Sequence, residues 1–145
     1  MRWSTRTMIV VALGAAGLLV APTGVGADCG GPTIAIDPTS GPAGTGLVVD
    51  GTGWGDNCYD TGPPPAGQGV LGNPLTDIRV VFVDAAGVTT ELGVVDADDD
   101  YRFRLEAAVP SGAVPGPAQV RVDRAIPQDF EVLGAVIPAS PAFTG

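Results

Sequence analysis

Three aspartates, Asp96, Asp98 and Asp100, stand at alternate positions, with Asp99 between the last two. Calcium loops use such spacing because a curved backbone can turn alternate carboxylates toward one hard cation. An EF-hand loop would also need Gly at its sixth position and Glu at its twelfth. Those places hold Tyr101 and Ala107. The other reading of the run is a solvated turn between two strands. Trp54 and Tyr59 flank the start of a loop rich in Gly and Pro. Aromatic faces beside a loop can stack on a sugar ring or fill a partner's pocket, or they can pack on a core and on a disulfide. Arg102 and Arg104, with Arg79 and Arg121, offer either an anion-binding patch or cross-strand partners for Asp and Glu.

Catalysis has poor materials. The chain has no His and no Lys to serve as a base, and Ser40, Ser111 and Ser140 lie in turn or tail sequence without a nucleophile motif. Paired carboxylates can hydrolyse a glycoside, but no spacing here pairs two of them. The expectation is a protein that is not an enzyme and carries no cofactor beyond the possible calcium ion.

The N-terminus has the three parts of a signal peptide. Arg2 and Arg6 form a basic start, an uncharged apolar run of 13 residues covers 8–20, and Val25-Gly26-Ala27 supplies small residues before Asp28. Spanning a bilayer takes about 20 apolar residues, so a retained anchor is the weaker alternative. The sequence therefore predicts cleavage after residue 27 and a protein secreted outside the cell or held in its envelope. The 118 residues left behind are one domain's worth of chain. They carry five Arg against 16 acidic residues, a formal charge of −11. Such a surface has no basic stripe for phosphates, which argues against nucleic acid, and it is repelled by anionic membranes. Cys29 and Cys58 are the only cysteines. An even pair in an oxidising compartment is expected to form a disulfide. Free thiols or a metal site are the alternatives, and no further ligand of the usual type accompanies them.

Short runs of Val and Ile between 22 Gly and 14 Pro, with no sustained helical period, predict an all-β sandwich of about seven strands. Strands are expected at 33–37, 46–51, 77–84 and 88–96, the last stretch holding one or two. Residues 38–44 read as a turn. Tyr101, Phe103, Leu105 and Ala107 alternate with Arg102, Arg104 and Glu106, giving a strand with one buried and one wet face. Val120 and Val122, then Phe130 and Val132, repeat the alternation. The stretch 55–76 is 22 residues of mainly Gly, Pro, Asn and Asp, and a connection of that length is usually functional or disordered. Residues 137–145 read as a flexible tail, leaving 28–136 as the domain.

Ile36-Asp37-Pro38-Thr39-Ser40-Gly41-Pro42-Ala43-Gly44-Thr45, followed by Leu47, Val49 and Gly51-Thr52-Gly53-Trp54, resembles the opening of an immunoglobulin-like module of the IPT/TIG type. Asp96-Ala97-Asp98 before Tyr101-Arg102-Phe103, Val109-Pro110, Pro115-Gly116 and Phe130-Glu131-Val132 are similar to its later landmarks. The resemblance implies a single immunoglobulin-like β-sandwich used as a spacer, adhesive unit or binding appendage. Its expected partner is a cell-envelope polysaccharide or protein, met through Trp54, Tyr59 and the 55–76 loop. The apoproteins of enediyne antibiotics share a similar Pro-x-Ser-Gly and Gly-Thr-Gly pattern on a related sandwich, usually with two disulfides. That likeness implies the alternative role, a soluble carrier of a small apolar ligand.

Overall fold

The computed structural model describes residues 29–136; the signal peptide expected at 1–27 and the tail at 137–145 lie outside them. The described residues form eight strands and no helix. These are β1 (Thr33–Asp37), β2 (Ser40–Pro42), β3 (Gly46–Thr52), β4 (Ile78–Val83), β5 (Thr89–Val95), β6 (Arg102–Ala108), β7 (Gly116–Val122) and β8 (Gln128–Leu133). One sheet has the order β1-β3-β6, the other β2-β8-β7-β4-β5.

Alternation in the sequence becomes burial on one face of each sheet. Ile34, Leu47, Val49 and Phe103 come from the first sheet. They meet Ile78, Val80, Phe82, Ala118, Val120, Val122, Phe130 and Val132 from the second in one core. Phe82 and Phe130 pack edge to face at 5.7 Å within the five-stranded sheet. The wet faces carry cross-strand pairs. Asp50 and Arg104 are direct register partners, and Arg104 Nη1 reaches both Asp50 oxygens at 3.1 Å. Arg79 pairs with Glu91 across β4 and β5.

The turn expected at 38–44 holds a strand instead. Pro38 has no amide to continue the β1 ladder, so the chain leaves that sheet there. Within three residues it joins the other sheet, where β2 pairs in parallel with β8. Gly41 is buried in β2, and a Cβ there would press into the Thr45 side chain. This addition makes the count eight rather than seven. The stretch 88–96 forms one strand, and a bulge between Val80 and Val81 leaves Leu92 without a partner on β4. Because β5 is an edge, the bulge also blunts a row of unpaired backbone groups. Tyr101 departs from its predicted place as well. It precedes β6 in a left-handed turn, φ 59°, and so does not continue the Phe103 face.

Asp84 closes the opposite end from the long loop. It is buried, and its carboxylate accepts the amides of Ala86 and Val88 at 2.9 Å and of Val114 at 3.1 Å. The Val114 and Val88 bonds hold its carboxyl below the usual range, against the opposing effect of burial. A depressed pKa contributes stability that is present above the unfolded value, about 3.9, and lost as pH falls through the folded one. Asp84→Ala is therefore expected to lower Tm at pH 7 by about 5 °C or more, through three orphaned amides. The deficit relative to the parent should shrink below about pH 4, where the parent loses the same charge. Thermal melts across pH 2–7 check both parts.

Candidate binding site at the loop end of the sandwich

Trp54 follows β3 after Gly53 and ties both ends of the long loop to the core. Its amide donates to Tyr101 O at 3.0 Å, its carbonyl accepts Leu75 N at 2.9 Å, and its Nε1 donates to Thr33 O at 3.3 Å. The ring meets Phe103 edge to face at 5.3 Å and is 1% exposed. Of the two aromatic contact residues expected from the sequence, Trp54 is thus a core residue and offers no face to a partner. The reason is geometric. Gly51, beneath the Phe103 and Trp54 rings, has no Cβ to keep them out.

Beyond Trp54 the chain runs out and back as a narrow ribbon. Asp56 N donates to Asn73 O at 3.0 Å, Asn57 N to Leu71 O at 3.1 Å and Tyr59 N to Val70 O at 2.8 Å. Gly69 and Gly72 exchange both backbone bonds. Gln68 N closes a turn on Pro65 O at 3.0 Å. The Asp56 carboxylate takes the Asn73 side-chain amide at 3.0 Å and its backbone amide at 2.8 Å. Those two bonds draw its pKa down. Tyr101, read from the sequence only as a core-facing strand residue, clamps the ribbon from the side: its hydroxyl donates to Gly72 O at 2.9 Å. A Cβ at Gly69 would overlap that hydroxyl. The usable signal was a bulky aromatic directly after the aspartate run, at a turn position with positive φ that favours Gly.

Cys29 and Cys58 form the expected disulfide, tying residues 29–32 to the ribbon's start. It fits a non-cytoplasmic protein, and no helix among the described residues is long and apolar enough to cross a membrane. Tyr59 is half-buried, and its hydroxyl donates to Gln68 Oε1 at 2.8 Å. Val70, whose carbonyl accepts the Tyr59 amide, is exposed, as are Pro63 and Pro65.

The aspartate run lies at the neighbouring β5–β6 turn. Asp96 Oδ1 accepts Asp77 N at 2.8 Å, while Asp98 Oδ1 accepts the amides of Asp100 and Arg102 at 3.0 and 2.9 Å. The first two carboxylates are thus occupied by backbone amides of different segments, and the Asp100 side chain is exposed. Among the described residues no group of three or more His, Cys, Asp or Glu side chains is placed to hold a metal. The four arginines divide between sheets, Arg79 and Arg121 on the larger and Arg102 and Arg104 on the smaller, so they do not form one patch.

No known protein family matches the chain, and no curated protein is similar to it.

Proposed function

We propose that this chain is a secreted, non-catalytic immunoglobulin-like module that binds a polysaccharide or protein of the cell envelope through the 55–76 ribbon. The observation that carries this reading is that a 22-residue connection is tied at its base by Trp54, Asp56, Tyr101 and the disulfide, while Val70, Pro63 and Pro65 are exposed and Tyr59 is half-buried. Order in a protruding segment lowers the entropic cost of binding. Pro63-Pro64-Pro65 add stiffness of their own, because each fixes φ and pushes the residue before it to extended backbone. The opening motif from Ile36 to Trp54 and the strand switch between β1 and β2 support the immunoglobulin-like assignment. The apolar-carrier alternative asks for a cleft of about 300 Å³ or more. The groove between ribbon and sheet, lined by Trp54, Leu75, Ile78 and Val122 among others, holds about 180 Å³, and the wider grooves of about 520 and 420 Å³ have Asp84, Arg121, Asp129 and Glu131, and Arg79, Asp123 and Arg124, in their linings.

Cosedimentation of the exported protein with envelope polysaccharide tests the reading. Tyr59→Ala, and separately replacement of residues 60–67 by a short Gly linker, should each weaken retention about tenfold or more, the loss typical of an interface anchor. Unchanged circular dichroism would show that the fold survives. Retention equal to the parent in both variants would sink the proposal.

A further inference from the structure

Three of the five arginines among the described residues, Arg79, Arg121 and Arg124, line one groove of about 420 Å³ on the outer face of the larger sheet. The rest of the lining is Val81, Val122, Ala125 and Pro127, with one carboxylate, Asp123. In a chain this acidic, such a concentration is against composition. Arg124 is also the shared wall of two further grooves. One, about 270 Å³, runs past the disulfide and is lined by Gly30, Gly31, Gly53, Gly55, Asp56 and Asn57 among others. The other lies beside Trp54. All three open at the end of the sandwich from which the ribbon projects.

The backbone at Arg124 adds a separate observation. It occupies the third position of the β7–β8 turn closed by Ala125 N on Val122 O, with φ 71°. That position favours Gly, and a larger residue there is strained. The ion pairs among the described residues are Arg79–Glu91, Arg104–Asp50 and Arg104–Glu106, so neither Arg121 nor Arg124 is in one. Arg121 instead donates through Nε and Nη2 to Gln119 Oε1, at 3.1 and 2.7 Å, which fixes its guanidinium and leaves other N–H groups free. A strained turn that holds a guanidinium outside any ion pair, though near enough to Asp56 to help lower its pKa, points to a ligand.

We infer that Arg124 and Arg121, with Arg79 at the rim, bind the carboxylates of an acidic oligosaccharide. Its hydroxyls would lie along the glycine backbone and the Asp56 and Asn57 side chains of the adjoining groove. Guanidinium forks match carboxylates, and exposed amides and carbonyls match hydroxyls. This rests on the envelope-binding reading and names the chemistry that reading would meet.

Titration of the exported protein with trigalacturonate, maltotriose and inorganic phosphate, followed by amide chemical shifts and calorimetry, tests it. Trigalacturonate should shift amides at 53–57 and 121–125, bind at least tenfold tighter than the neutral maltotriose, and weaken as salt rises. Arg124→Gly should weaken it tenfold or more while leaving Tm unchanged or higher, since Gly relieves the turn. Arg121→Ala should weaken it as well. Equal shifts from phosphate at equal concentration, parental affinity in both arginine variants, or a Tm loss of several degrees in Arg124→Gly would each overturn the inference. If Tyr59→Ala abolishes envelope retention while Arg124→Gly preserves it and trigalacturonate affinity, this inference fails and the ribbon reading stands. If the arginine variants lose trigalacturonate and Tyr59→Ala keeps full envelope retention, the reverse holds.

Discussion

Replacing Trp54 with Ala is expected to cost about 3–5 kcal/mol, the range for removing a buried aromatic side chain and leaving a cavity. The ring is 1% exposed, so nearly its whole surface returns to a void or to water. Its Nε1 bond to Thr33 O goes with it, as does the edge contact with Phe103. A domain of this size has a total stability on the order of 5–15 kcal/mol, so the variant should sit close to unfolding at 37 °C. Trp54→Phe separates the contributions: it keeps most of the volume, loses the indole donor, and should cost about 1–2 kcal/mol. Urea denaturation followed by circular dichroism measures both, because Trp54 is the sole tryptophan after residue 3 and cannot report on its own removal. A loss under about 1 kcal/mol in Trp54→Ala would show that the ribbon's base is held by backbone bonds alone.

What the sequence made legible follows from which interactions are periodic. Leu47 and Val49, Ile78, Val80 and Phe82, Val120 and Val122, and Phe130 and Val132 recur every second residue, so the strands and the core faces could be read directly. Cys29 and Cys58, as the sole pair, announced their bond. Ser40–Pro42 could not be read as a strand, because it pairs through backbone alone with β8, some 90 residues later, and its composition is that of a turn. The ribbon at 55–76 was invisible for a related reason. Its order rests on single contacts between unlike residues, Asp56 with Asn73, Tyr59 with Gln68, and Tyr101 with Gly72, none of which repeats. Arg124 does not stand out in the sequence, because its distinction lies in a backbone angle and in three grooves meeting, neither of which a residue type reveals.

Reduction of the disulfide should have the other large effect, and where it acts is more informative than its size. Cys29 and Cys58 are separated by 29 positions, and freeing a loop of that length is expected to cost about 3–4 kcal/mol in the chain-entropy description. Cys58→Ser with Cys29→Ser, or a melt in a strong phosphine reductant, should therefore lower Tm by about 10–20 °C for a domain near 100 residues. The ribbon has its own ties in the Asp56–Asn73 pair, the Gly69–Gly72 exchange and the Tyr101 hydroxyl on Gly72 O. Residues 29–32 have no strand pairing of their own and lie against Gly53 beside the disulfide. Loss of the bond should accordingly loosen those residues first and leave the ribbon's amides protected in the folded state. Hydrogen exchange resolves the two: faster exchange at the start of β1, which follows the freed segment, with unchanged protection at Asn57 and Tyr59 is the expected result. Equal loss of protection in both segments would mean that the bond, rather than the Asp56 and Tyr101 contacts, holds the ribbon in shape, and that the proposed envelope retention should then fall on reduction.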